Sequence, residues 1–297
     1  MMNGANYGGR EAACPDTGKA KAVIVPVPYQ GTVTYKNGTA KGPAAILEAS
    51  ANMELFDEEL NVETHKIGIH TLPALEVSEK RPEEVIGDVE RIARENMQQG
   101  RLPVVIGGEH SISVGGVRAG KVTFGELSVL HLDAHADLRD EYEGSKYSHA
   151  CASRRMQEIA PVTQLGVRSM SKEERDFLSG PNNITLSVSA YDILNDSLWD
   201  KKVLDSLSEK VYVTIDLDVL DISIMPAVGT PEPGGLSWYL LLDILRMVGT
   251  SREIVGFDVV ELSPMGGNVA PDFLASKLIY RFLGYIFFGR DRKNKKV

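Results

Sequence analysis

The chain is poor in cysteine, in basic charge and in long apolar runs, and each shortage closes off a class of protein. Only two cysteines occur in 297 residues, Cys14 and Cys151, and neither stands in a Cys-x-x-Cys pair. That count excludes a disulfide scaffold and suits a reduced, cytoplasmic protein. Acidic residues outnumber basic ones, 41 to 32, for a formal net charge of −9. Nucleic acid demands a basic face, so no nucleic acid partner is expected; an acidic field favours cationic ligands instead. The longest aromatic-rich apolar run, Phe282 to Phe288, falls far short of the ~20 residues of a spanning helix. No basic-then-apolar leader opens the chain, and no membrane partner is expected.

What is present is an ordinary globular composition, 43% hydrophobic and 25% charged, in a length that can bury a full core. Short β-branched runs alternate with amphipathic segments. The strand expectations are Ala22–Val27, Lys66–Ile69, Leu102–Ile106, Leu127–Leu132, Val162–Val167, Ile184–Val188, Lys210–Leu217 and Glu253–Val260. They read as buried on both faces, as central parallel strands do. Between them, Pro82 opens a helix with Val85, Val89, Ile92 and Ala93 on one face, and Gly100 stops it. Ser171 with Glu174 spells a capping box, and Ser237 can cap Trp238–Val248. This alternation predicts a single α/β domain around a mostly parallel sheet, with residues 1–20 and the tail from Arg290 loosely held.

Ligands of open parallel sheets sit at the carboxyl ends of the strands, and there the chemistry-bearing residues gather. Leu127–Leu132 runs into Asp133-Ala134-His135-Ala136-Asp137, three candidate ligands at alternate positions of an extended chain. Lys210–Leu217 carries Asp216 and Asp218 inside an otherwise apolar run, where ionised carboxylates are costly unless paired or metal-bound. Leu102–Ile106 ends in Gly107-Gly108-Glu109-His110, two glycines permitting close backbone approach before His110. Four carboxylates and two imidazoles then converge from three strand ends. The set is hard and oxygen-rich with some nitrogen, suited to Mn²⁺, with Zn²⁺ or Fe²⁺ as alternatives. Four acidic ligands could balance two divalent cations, as two-metal hydrolases do.

These three segments resemble the signature motifs of the arginase/agmatinase (ureohydrolase) family. The likeness runs from about Tyr7 to Tyr285 and includes Pro28-Tyr29, Gly42-Pro43, Gly229-Thr230-Pro231-Glu232-Pro233-Gly234-Gly235 and Val259-Val260-Glu261. The resemblance implies a three-layer α/β/α sandwich around an eight-stranded parallel sheet and two manganese ions per chain. His110, Asp133, Asp137 and Asp216 would hold one ion; His135, Asp133, Asp216 and Asp218 would hold the other. It implies attack of a metal-bridging hydroxide on a guanidinium carbon. Asp137 would relay the proton to the leaving amine, His149 would shuttle protons, and Glu261 would pair with the guanidinium. A homo-oligomer, trimer or hexamer, follows from the same family. Departures from its pattern are Ile222, Ala150 after His149, Ala227-Val228 and Gln30.

Within the family, agmatine is the leading substrate expectation. The loop from Leu138 to Ser148 lacks the Asn/Ser/Thr-rich pattern with which arginases read an α-carboxylate and α-amine, and its Asp140, Glu141 and Glu143 suit a second cation. Aminopropylagmatine or another guanidino amine is the nearest alternative, then arginine; a non-catalytic metal-binding scaffold is the alternative from another class. His131 reads as core or as support for the ligands, Glu109, His65 and His70 as structural, and Cys151 as an inert thiol. Leu278, Ile279, Phe282, Leu283 and Ile286 form a helical core stripe or subunit contact. Gly115 to Val122 nearly spells a phosphate loop, but Val122 stands where Ser or Thr must bind Mg²⁺.

Overall fold

The computed structural model describes residues 6–181 and 183–293. Ten strands are present among the described residues: β1 (Ala22–Val27), β2 (Phe56–Asp57), β3 (Val62–Glu63), β4 (Ile69–Thr71), β5 (Leu102–Gly107), β6 (Ser128–Leu132), β7 (Val162–Val167), β8 (Thr185–Ser189), β9 (Lys210–Asp216) and β10 (Glu253–Val260). Eight of them form one sheet in the order β4-β1-β5-β10-β9-β6-β7-β8, and every pairing in it is parallel. β2 and β3 form a separate antiparallel ribbon.

Alternation along the strands sends side chains to the two opposite faces of the sheet, as the pleat requires. Ile24, Val104, Val213, Ile215 and Val259 pack on one face, toward the helices Gly42–Ser50, Trp238–Ser251 and Ala270–Lys293. Val25, Val105 and Val129 face the helices Pro82–Gln98, Ser113–Phe124 and Ala152–Gln157. The result is the expected α/β/α sandwich.

Local signals account for most boundaries. Ser171 accepts from Glu174 N while Glu174 Oε2 accepts from Ser171 N, and Ser237 accepts from Leu240 N. The glycines of the rejected phosphate loop lie inside the helix Ser113–Phe124, where a Cβ on Gly115 would stand 2.5 Å from Ile86 O. They serve helix packing. The Leu278, Ile279, Phe282 and Leu283 stripe is fully buried.

Two expectations shift. Lys66 and Ile67 close a 3₁₀ turn, Thr64–Ile67, and the strand begins only at Ile69, because Gly68 (φ 81°) turns the chain in between. Residues 6–20 are anchored at Tyr7, which is fully buried with its hydroxyl donating to Ser276 O, and at Ala12 and Ala20, while Arg10, Glu11, Asp16 and Lys19 are exposed. Residues 1–5 and 294–297 lie outside the described residues. No helix among the described residues is long and apolar enough to cross a membrane.

Candidate metal centre

Four neighbouring strands, β5, β10, β9 and β6, bring every expected site residue except His149 to one end of the sheet, and His149 opens the 3₁₀ turn His149–Cys151 beyond the loop after Asp137. His110 follows β5, Glu261 follows β10, Asp216 ends β9 with Asp218 in the 3₁₀ turn after it, and Asp133, His135 and Asp137 follow β6. The glycines before His110 are required by contact: a Cβ on Gly108 would stand 1.9 Å from Tyr29 O, and one on Gly107 2.6 Å from Val260 Cγ1. Asp137 (φ 50°) and Glu261 (φ 67°) hold left-handed backbone conformations, a strain of about 1–3 kcal/mol each that concentrates at functional sites.

Three carboxylates crowd one imidazole nitrogen. His110 Nδ1 lies 3.0 Å from Asp133 Oδ2, 3.3 Å from Asp216 Oδ2 and 3.4 Å from Asp137 Oδ2. The other ring nitrogen, Nε2, meets Thr214 Oγ1 at 2.9 Å, and that hydroxyl donates to Asp258 Oδ1 at 2.6 Å. Thr214 therefore accepts from Nε2–H, leaving a lone pair on Nδ1. His110 Nδ1 and Asp133 Oδ2 are buried without a hydrogen-bond partner. Ligand atoms held at right angles ~2.1 Å from an ion stand ~3 Å apart, so this spacing fits a cation.

A second donor set adjoins the first. His135 Nδ1 lies 2.8 Å from Asp218 Oδ2 and 3.6 Å from Asp133 Oδ1. Asp133 thus turns Oδ2 to one set and Oδ1 to the other, and Asp133, His135 and Asp218 converge closely enough to share an ion. Asp216 offers Oδ2 to the His110 side, while its Oδ1 accepts from Asp218 N at 2.9 Å. Glu232, from the Gly229–Gly235 motif, reaches within 3.9 Å of His135 Nε2.

Without cations the cluster is electrostatically frustrated. Burial, then repulsion from neighbouring carboxylates, holds Asp137 and Asp216 well above the usual carboxylate range. Burial opposes charge on His135, but Asp218 and Asp133 overcome it and push its pKa up to about 12. Added positive charge is what these residues lack. Divalent cations would supply it, and the oxygen-rich donors fit manganese.

His131, expected as core or ligand support, is fully buried with Nε2 2.9 Å from Asp133 Oδ2. Gln164 Nε2, which donates to Ala136 O, stands 3.1 Å from His131 Nδ1. His131 therefore packs directly against the Asp133 carboxylate from within the core.

Above the cluster opens a cavity of about 280 Å³, lined by His110, His135, Asp137, His149, Asp216 and Glu261 among others. Glu261 Oε1 accepts from His110 N at 2.7 Å; burial, then Asp216 and Glu109, raise its pKa well above the ordinary value. His149 is held in its neutral form by burial, which lowers its pKa. Ala150 lines the same cavity. Gln30, the departure from aspartate, accepts Gly38 N at 2.7 Å and ties the loop that follows it.

The acidic-loop expectation is corrected. Asp140 is spent on Arg155 at 2.7 Å and Lys146 at 3.5 Å, and Glu141 and Glu143 are exposed. None of the three lines the cavity; Arg139 and Tyr142 do, with the guanidinium 4.9 Å from the ring centroid. Sequence reasoning also passed over Thr32, Thr214, Gln164 and Asp258. Only Asp258 carried a signal, a carboxylate inside the apolar run of β10.

Comparison with known proteins gives the family. The arginase-family sequence model covers residues 20–284. The chain belongs to the arginase family. It is 37% identical over 284 residues to the N(1)-aminopropylagmatine ureohydrolase of Synechocystis sp., covering 93% of this chain and 92% of that one. It is 34% identical to the agmatinase of Pyrococcus horikoshii, over 91% and 93% of the two chains. The agmatine ureohydrolase structure of Thermoplasma volcanium superposes with a TM-score of 0.87 at 31% identity, over 98% and 97% of the two chains.

Proposed function

We propose that this arginase-family chain is a dimanganese ureohydrolase that releases urea from a guanidino amine, N(1)-aminopropylagmatine first and agmatine second. The observation that carries the reading is Asp133, whose two oxygens serve two adjoining donor sets at the floor of a cavity that also holds Glu261 and His149. The order of substrates follows the relatives, since the 37%-identical proteins from Synechocystis and Thermus thermophilus are named aminopropylagmatine ureohydrolases.

His110, Asp133, Asp137 and Asp216 would hold one ion, and His135, Asp133, Asp216 and Asp218 the other. When bound, such a pair lowers the pKa of water and stabilises negative charge developing at the reacting carbon. The remaining work falls to the chain. Glu261 has Oε1 fixed by His110 N–H, which leaves Oε2 to accept from a guanidinium N–H in a charge-assisted bond. Asp137, aimed by its left-handed backbone, takes the proton of the attacking water and delivers it to the leaving nitrogen. His149 exchanges protons between the cavity and solvent. Guanidino amine and water give urea and the free amine.

A second substrate reading rests on Arg139. Its guanidinium in the cavity wall could receive a carboxylate, which favours arginine or guanidinobutyrate. The manganese-loaded protein should be assayed for urea with aminopropylagmatine, agmatine, guanidinobutyrate and arginine. The amines are expected to exceed arginine in kcat/KM by at least ~100-fold, the scale of leaving a buried charge unpaired. Arginine as the best substrate would replace this reading with the Arg139 one.

A further inference from the structure

The hydroxyl of Thr32, which lies far from β6 in sequence, sits beside the ring of His149. Thr32 N donates to Glu109 Oε2 at 2.7 Å, and Thr32 Oγ1 donates to Glu109 Oε1 at 2.7 Å. The same oxygen accepts from His149 N at 2.9 Å and lies 3.2 Å from His149 Nδ1. Glu109 is fully buried and also takes the Ser111 hydroxyl at 2.6 Å. A carboxylate only accepts, so the single Thr32 hydroxyl proton is committed to it. Toward His149, Thr32 has lone pairs alone, and Nδ1 can meet a lone pair only by carrying the ring hydrogen. The Ser148 hydroxyl, 3.4 Å from Nδ1, is the more distant neighbour. Nε2 takes no part in these contacts, and His149 lines the cavity.

We propose that Thr32, locked by Glu109, is a positioning residue that fixes neutral His149 as the Nδ1–H tautomer and so leaves the Nε2 lone pair for the cavity. This rests on the reading of His149 as the proton-exchanging residue. It parallels the Thr214–Asp258 pair, which sets the tautomer of His110 in the same way. Glu109 is thereby more than a structural carboxylate: it removes the alternative in which Thr32 donates to the ring.

A clamp without tautomer control makes a different prediction. Thr32→Val keeps the backbone bond to Glu109 and loses only the hydroxyl, whereas Thr32→Ser keeps both. In the manganese-loaded enzyme, Thr32→Val should lower kcat about 10- to 100-fold, no more than the lower end of the ~10²–10⁴ that a positioned acid–base group contributes. KM and a metal content of two ions should hold, and Thr32→Ser should restore most of the rate. The direct readout is ¹⁵N-histidine NMR on zinc-loaded, diamagnetic protein, with the His149 signals assigned by their loss in His149→Gln. Wild type and Thr32→Ser should show protonated Nδ1 and bare Nε2; Thr32→Val should show a mixture. An Nε2–H tautomer in the wild type overturns the proposal even if no variant folds. So does a Thr32→Val enzyme with wild-type kcat while His149→Gln is inactive. Wild-type rates in His149→Gln would instead remove the reading on which the proposal rests.

Discussion

Stripping the metals should cost stability in a way that grows with pH. In the metal-free chain Asp137 and Asp216 have raised pKa values, through burial and then neighbouring carboxylates. Groups raised on folding contribute stability that is full below their unfolded pKa and lost as pH rises through the folded one. Cations must displace those protons, and each proton displaced changes binding by about 1.4 kcal/mol per pH unit. With manganese at about 100 times its dissociation constant at pH 8.0, each ion adds ~2.7 kcal/mol and two add ~5 kcal/mol. Unfolding entropy of ~2.1 cal/mol/K per residue over 297 residues gives about 0.6 kcal/mol per degree, hence a rise in Tm of about 9 °C. At pH 6.0 and the same manganese concentration, one proton displaced per ion weakens each site about 100-fold, leaving a rise of about 1 °C. Calorimetry in EDTA and in manganese at both pH values measures this directly. Equal gains at the two pH values, or the larger gain at pH 6.0, would refute the reasoning.

Other expectations are quickly stated. Asp133→Ala should reduce both ions, so elemental analysis should find less than one per chain; one full equivalent would show that Asp133 serves a single site. Arg281 donates to the fully buried Asp57 at 2.7 Å, and Arg281→Ala should destabilise the protein by about 3–5 kcal/mol in denaturant titrations, since it leaves that carboxylate uncompensated. Cys151 is buried, with its thiol pushed up to about 12, mainly by burial; at pH 8 it should resist a disulfide reagent in the native protein and react after unfolding.

How far the sequence reaches can be seen at particular residues. β1, β7 and β10 run as read, because β-branched residues buried on both faces leave little else for those segments to do. The metal-ligand candidates were legible because carboxylates and imidazoles are out of place at the ends of apolar runs. β4 was misplaced because the apolar pattern Lys66–Ile69 straddles a glycine whose left-handed backbone only the structure reveals. The loop after Asp137 misled for a different reason. Composition counted Asp140, Glu141 and Glu143 as acidic, whereas geometry pairs the first with Arg155 and turns the others to solvent. Thr32 and Thr214 were invisible because a threonine gains its role only from the histidine and carboxylate that folding sets on either side of it.

The central claim is hydrolysis of a guanidino amine at the cluster around Asp133, and product balance tests it most directly. Manganese-loaded protein incubated with aminopropylagmatine or agmatine should yield urea and the corresponding amine one for one. The metal-free protein and Asp133→Ala should yield neither. If the protein binds both ions at these residues yet gives no urea from any guanidino compound tested, the account is contradicted.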